Sequence, residues 1–177
     1  MTVIETLREA QRFGFFGPGD IADAERHARG YVTAIGEVAP GTRIIDLGSG
    51  GGLPGLVLAD AYPTASIVLL DRRQKRTDFL ERAVRRHGWQ DVTVRLDDVD
   101  RLVREVRDGT LAAFDVVTAR GFGPPEVTLR ASVGVCRLGG RIVISEPPDR
   151  DRWPDGLLTE LDVTSVRIGP VRVFERR

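Results

Sequence analysis

The stretch Asp46-Leu-Gly-Ser-Gly-Gly-Gly-Leu-Pro-Gly55, entered from the apolar pair Ile44-Ile45, decides how this chain folds. It reads as a buried strand ending at Leu47, a glycine turn, and a helix beginning near Leu53. Glycines allow a tight turn and bring bare backbone close to a ligand, while the first N–H groups of a helix have no partner within it. Such a turn cradles a nucleotide-like cofactor. Asp46 at its head bears on which one, because a carboxylate repels phosphate and pairs well with an ammonium group. Asp46 therefore favours S-adenosylmethionine over a dinucleotide. The run Gly50-Gly-Gly52-Leu-Pro-Gly55 also satisfies G-x-G-x-x-G, with Asp71 at about ribose distance. In that register the first glycine falls three residues beyond Leu47, whereas a dinucleotide turn places it directly after the strand.

Outward from this turn, apolar runs of strand length alternate with amphipathic stretches, the pattern of repeated βα units and a parallel sheet. Strands are expected at Arg43 to Leu47, Ser66 to Asp71, Val92 to Arg95, Phe114 to Ala119 and Gly140 to Ser145. Helices are expected between them at Leu53 to Ala61, Gln74 to His87, Val99 to Arg107 and Glu126 to Cys136. Two helical patterns precede the turn, Val3 to Phe13 and Ile21 to Val38, with Gly14 to Gly19 as the loop between them. After the last parallel strand, Trp153 to Leu161 suits a short helix. Asp162 to Ile168 and Val171 to Glu175 suit a hairpin closed at Gly169-Pro170.

With 177 residues, 41% hydrophobic and 29% charged, the chain suits one soluble domain, 1–177, comprising a helical arm over 1–40 and an α/β core over 41–177. No apolar run approaches the roughly 20 residues that cross a bilayer, and the start lacks the basic and apolar regions of a signal peptide. A cytoplasmic protein without a membrane partner is expected. The single Cys136 excludes an internal disulfide, and no Cys/His spacing suits zinc, so no metal is expected. Charge balances at 26 basic and 26 acidic residues, but Arg72, Arg73, Lys75, Arg76, Arg82, Arg85 and Arg86 crowd one segment. That segment offers either phosphate contacts at one rim of a cofactor cleft or a solvated helix face.

Three segments in order carry a narrower resemblance: the glycine turn ending in Gly52-Leu-Pro-Gly55, then Leu69-Leu-Asp-Arg-Arg-Gln-Lys-Arg-Thr-Asp-Phe-Leu80, then Phe114-Asp-Val-Val-Thr-Ala-Arg-Gly-Phe122. Together they resemble the RsmG (GidB) family within the Rossmann-like S-adenosylmethionine-dependent methyltransferases. The resemblance implies a mostly parallel seven-stranded sheet with helices on both faces, an antiparallel C-terminal strand and a short N-terminal helical arm. It also implies methyl transfer to N7 of a guanine in small-subunit ribosomal RNA. On this sequence it places the cofactor on Gly48 and Leu53 in the turn and on Asp71 after the second strand; Asp46, Ser49, Gly50 and Arg72 are candidate cofactor residues beside them. Asp98, Val99 and Asp100 would meet the adenine, and Arg120 would orient substrate or cofactor. Alternatives stand beside these roles: Asp71 suits a cap for the helix that follows it, Asp46 suits holding the glycine loop, Asp97, Asp98 and Asp100 suit a polar turn, and Arg120 suits a structural salt bridge with a nearby carboxylate.

No catalytic acid or base is implied, because guanine N7 already carries a lone pair and attack on a sulfonium methyl removes no proton. Positioning should supply the rate. Gly123-Pro-Pro-Glu126 lacks the amide and aromatic ring that amino-methylating enzymes place after the fourth strand. His27 and His87 receive no functional role. The chain departs from the family pattern in lacking an Asn-Leu-Thr segment near its start and in carrying Ser145-Glu-Pro-Pro148 where the family has lysine-glycine. A carboxylate at that cleft edge would disfavour phosphate, so a small-molecule methyltransferase of the same fold and a non-catalytic cofactor-binding module remain as alternatives.

Overall fold

The computed structural model describes residues 1–147 and 152–177. Two helices, α1 (Val3–Arg12) and α2 (Ile21–Ile35), lead into β1 (Arg43–Leu47), α3 (Gly55–Ala61), β2 (Ser66–Asp71), α4 (Gln74–His87) and β3 (Val92–Leu96). The chain continues through α5 (Val99–Arg107), β4 (Phe114–Ala119), α6 (Pro125–Val135), β5 (Cys136–Ser145), α7 (Asp155–Glu160), β6 (Val163–Ile168) and β7 (Val171–Arg176). The strands form one seven-stranded sheet in the order β3-β2-β1-β4-β5-β7-β6. Neighbours from β3 to β5 are parallel, and β7 pairs antiparallel with both β5 and β6. This is the Rossmann-like methyltransferase architecture that the sequence resemblance implies.

Parallel strands covered on both faces must be apolar on both, which is why Ile44-Ile45 and Leu69-Leu70 run without alternation. Ile44, Ile67, Leu69 and Val116 enter one core layer with Leu7, Tyr31, Leu56, Leu58, Phe79 and Leu80 from α1 to α4. Their chain neighbours Ile45, Leu70 and Val117 enter the opposite layer with Leu102, Leu129, Trp153 and Leu157 from α5 to α7 and the segment before α7. The first two helices belong to this packing. The Tyr31 hydroxyl donates to Ala119 O at the end of β4 (2.9 Å), and the Tyr62 hydroxyl donates to Val32 O and Gly36 O.

Several boundaries differ from the sequence expectation, each for a local reason. α2 stops at Ile35 because Gly36 turns out of the helix at φ +71. α6 ends at Val135, and Cys136 already pairs with Phe114 in β5. The register then shifts before Val116 meets Arg141, so β5 begins at Cys136 instead of the expected Gly140, with an irregularity over Arg137–Gly140. Trp153 lies outside α7 and packs edge-on against Phe174, ring centroids 4.8 Å apart. Helix α3 starts at Gly55 instead of Leu53, and the cause lies in the functional turn itself.

Candidate cofactor cleft at the strand ends

From β1 the chain winds outward to β3 on one side and crosses to β4 on the other, so the connections that leave the C-terminal ends of the paired strands β1 and β4 part in opposite directions and leave a crevice, the usual ligand position in open α/β sheets. The glycine turn forms its floor. Gly48 sits at φ +69, where a side chain is strained, and a Cβ there would also stand 2.8 Å from Phe122 Cδ2. Gly51 is restricted by proximity alone: its Cβ would meet Phe16 Cζ at 2.6 Å. Backbone bonds lock the turn, from Ser49 N to Leu70 O (2.9 Å) and from Gly52 N to Ser49 O (2.7 Å).

Asp46 is fully buried beneath this turn. Its Oδ2 accepts from Gly55 N at 3.1 Å and its Oδ1 from the Thr118 hydroxyl at 2.7 Å. The carboxylate thus meets the first N–H of α3, a position favoured by the helix dipole, and sets the start of that helix. This corrects two expectations: Asp46 is turned toward the protein rather than a ligand ammonium, and the α3 N-terminus points its leading N–H at Asp46. Burial pushes the Asp46 carboxyl up to about 6, against the bonds from Thr118, Ser49 and Gly55 and the charge of Arg120. Ser49 and Leu53 are buried as well, and Leu53 belongs to the hydrophobic core, so neither reaches the crevice wall.

Above the turn lies a cavity of about 430 Å³, lined by Gly48, Asp71, Arg72, Asp98, Val99 and Asp100 among the residues singled out from sequence. Arg73, Arg76, Asp97 and the segment Gly121–Pro124 complete much of the wall. Asp71 closes β2 and is nearly buried. Its Oδ2 accepts from Gly50 N (2.9 Å) and lies 3.4 Å from Arg76 NH1, while its Oδ1 accepts from Arg73 N (2.9 Å). Gly50 therefore serves the site through its N–H, by tying the turn to Asp71. Oδ2 thus accepts two bonds and Oδ1 one, so Asp71 keeps acceptor capacity, chiefly on Oδ1. Asp98 caps α5 by accepting from Asp100 N at 3.0 Å, which leaves apolar, buried Val99 at the wall. Asp97 is held by Arg95 at 2.8 Å.

Arg120 follows β4 but lines a second cavity of about 240 Å³ with Phe16, Pro18, Ile21 and Ala24. Residues Arg120 and Gly121 thus border two adjoining spaces. His27 lies close enough for the Arg120 cation, together with partial burial, to hold its imidazole below the usual range. Phe122 and the Phe15-Phe16 loop are site elements to which the sequence assigned no role, whereas Arg76 belongs to the basic segment expected at a cleft rim. The only available signal was the aromatic next to the arginine after β4.

Glu146 corrects a further expectation. It does not project into the cleft: its side chain is fully buried, Trp153 Nε1 donates to its Oε2 at 2.5 Å, and Arg172 and Arg152 guanidinium nitrogens stand 3.4 and 3.6 Å away. A carboxylate enclosed by two cations adds no negative field at the cleft edge. Pro148 of the same segment lies outside the described residues. Cys136 is buried and its thiol is pushed up to about 12 by burial, which leaves it unreactive.

The family model for rRNA small subunit methyltransferase G (GidB) matches residues 17–146. A ribosomal RNA small subunit methyltransferase G of Mycolicibacterium smegmatis is 39% identical over 136 residues, covering 74% of this chain and 54% of that protein. The corresponding protein of Syntrophomonas wolfei is 30% identical over 131 residues, covering 72% of this chain and 58% of its own length. The chain thus spans about half the length of the curated relatives it matches. Among solved structures, a Thermus thermophilus 16S rRNA N2 G1207 methyltransferase in complex with AdoMet and guanosine superposes with a TM-score of 0.68 at 20% identity, over 92% of this chain and 45% of that one. A fibrillarin/Nop5p complex gives 0.60 at 16% identity, over 86% and 83%. These two likenesses concern the fold. The turn, the Asp71 strand end and the segment after β4 all fall inside the matched 17–146 span, and with it the chain belongs to the rRNA small subunit methyltransferase G family.

Proposed function

We propose that this chain is an S-adenosylmethionine-dependent methyltransferase that acts on N7 of a guanine in small-subunit ribosomal RNA. The observation that carries the reading is the convergence, in a chain of this family, of Gly48, Asp71 and the Asp98–Val99 turn on one cavity of about 430 Å³. The donor set suits the cofactor. Asp71 offers its remaining acceptor capacity to ribose hydroxyls, Val99 offers an apolar surface to a flat base, and Gly48 leaves backbone bare where the methionine part would cross toward Arg120. Arg120, in the adjoining cavity, is suited to a carboxylate at that end or to the acceptor's phosphate. Arg72 and Arg73 stand at the adenosine rim.

The cofactor supplies an electrophilic methyl on a sulfonium. The protein's part is orientation: the locked turn, Asp71 and the cap at Asp98 fix one side of the reaction, and the segment 120–124 borders the other. No proton has to be moved at N7, so none of the wall carboxylates is asked to act as a general base. We further propose that 1–177 works as one methyltransferase domain with 1–40 as its helical arm, in the cytoplasm, with the small ribosomal subunit as partner. No helix among the described residues is long and apolar enough to cross a membrane.

The test is to offer the purified protein labelled S-adenosylmethionine with small subunits that lack the family's methyl group and to map the label. Label at guanine N7 supports the reading. Cofactor binding with no label in RNA removes the ribosomal assignment, and label on a small molecule instead identifies the alternative acceptor class.

A further inference from the structure

Phe122 is the only aromatic residue among the described residues that line the large cavity. It is half-buried, and its ring rests on Gly48: a Cβ at Gly48 would stand 2.8 Å from Cδ2 and 3.6 Å from Cε2 of Phe122. Gly48 joins the Asp71 side of the crevice to the Arg120 side, so the ring covers the very backbone over which the methionine part of the cofactor has to pass. Glycines flank the ring. Gly121 sits at φ +59 with nothing within 4 Å of where a Cβ would be, and at Gly123 such an atom would meet only Thr128 Oγ1, at 3.9 Å. The chain on either side is held: Ala119 O, two residues before Gly121, accepts from the Tyr31 hydroxyl (2.9 Å), and the Thr128 hydroxyl is shared between Gly123 O (3.2 Å) and Pro124 O (2.9 Å). The geometry is that of a short hinge carrying one aromatic side chain between two fixed points.

We propose that Phe122 has two positions: over Gly48 in the free protein, and, once cofactor has displaced it, at the mouth of the cleft, where its ring face stacks against the acceptor purine. This rests on the cofactor reading given above. A flat, neutral base is held well by an aromatic face, and the neighbouring Pro124 and Val127, the latter 54% exposed, extend an apolar edge on the same wall. Cofactor has to enter before the acceptor, because the stacking position forms only when the ring leaves Gly48. Phe122 is thus a positioning residue, coupling occupancy of one subsite to formation of the next.

Two measurements test it. In protein labelled with fluorinated phenylalanine, the Phe122 resonance, assigned by its loss in Phe122→Ala, moves on addition of S-adenosylhomocysteine. It moves again with millimolar guanosine 5′-monophosphate only when S-adenosylhomocysteine is present. In kinetics, Phe122→Ala binds S-adenosylhomocysteine faster and several-fold tighter, raises KM for undermethylated small subunits about tenfold with kcat little changed, and is rescued by Phe122→Tyr. A resonance unmoved by S-adenosylhomocysteine, a nucleotide response independent of it, or an alanine variant with unchanged binding and KM each overturns the proposal. If the resonance responds as described while no methyl reaches RNA, the ribosomal reading falls and the two-position residue stands. Absence of S-adenosylhomocysteine binding defeats both.

Discussion

At the scale of single residues, the two carboxylates at the ends of β1 and β2 look alike in sequence and do different work. Asp46 is sealed under the turn with a carboxyl raised to about 6 from 3.8. Between those values the folded protein keeps a proton that the unfolded chain has released, so Asp46 favours folding least at high pH: its contribution falls as pH rises from about 4 through about 6. Urea unfolding of the wild type and Asp46→Asn from pH 4 to pH 8 is expected to show the variant gaining on the wild type by on the order of 3 kcal/mol across that window. A pH-independent difference would contradict the raised value. Asp71 instead ties Gly50 N and Arg73 N to the cavity wall. Asp71→Ala is expected to weaken S-adenosylhomocysteine binding by about 1–3 kcal/mol, roughly five- to 150-fold in calorimetry, through lost ribose contacts and a loosened turn. Unchanged affinity excludes Asp71 from the site.

Between elements, one close fit is that of the α1–α2 loop on the glycine turn. A methyl at Gly51 would fall 2.6 and 2.8 Å from Phe16 ring atoms and 3.0 Å from Phe15 Cβ, and Phe15 is itself edge-on to Phe79 of α4 at 5.6 Å. Gly51→Ala therefore has to push the loop off the turn and off α4 together, costing about 1–3 kcal/mol in thermal unfolding. Gly17→Ala, on the same loop with nothing within 4 Å of its Cβ position, is expected to change stability little. Such contacts explain what was legible in the chain. β1, β2, β4, α4 and α5 match their expected limits because buried parallel strands and capped amphipathic helices write their own ends into the sequence. The start of α3 was not legible, since it depends on Asp46 accepting from Gly55 across nine positions of chain. The irregular start of β5 and the orientation of Arg120 toward the smaller cavity likewise arise from tertiary packing. Among the candidate site residues, those at strand ends on the open side were legible; Phe122 was not, because its meaning comes from lying on Gly48.

Over the whole molecule, a net charge of zero conceals a directional field. The segment Arg72–His87 holds Arg72, Arg73, Lys75, Arg76, Arg82, Arg85 and Arg86 against only Asp78 and Glu81, so the remainder of the chain is net acidic. Arg76, Arg85 and Arg86 are paired with Asp71, Glu81 and Glu9. Arg72, Arg73, Lys75 and Arg82 have no carboxylate within ion-pair distance among the described residues, and the first two stand on the cavity rim. A polyanion is therefore drawn to the start of α4 and repelled elsewhere, which delivers it to the cleft in one orientation. Reversing Lys75 and Arg82, the two unpaired cations of α4 that do not line the cavity, to glutamate is expected to weaken binding to small subunits more than tenfold at low salt. The slope of log affinity against log salt should fall by about 1–2, as each lost phosphate contact removes about 0.7–0.9. Affinity for S-adenosylhomocysteine should stay within about twofold, separating the RNA contact from cofactor binding. Arg107→Glu is the control: it lies at the end of α5 and pairs with Asp108, and since α5 runs back from the strand C-termini, it sits at the opposite end of the sheet. If that single reversal weakens RNA binding as much as the α4 pair does, attraction is a matter of total charge and α4 gives the RNA no orientation.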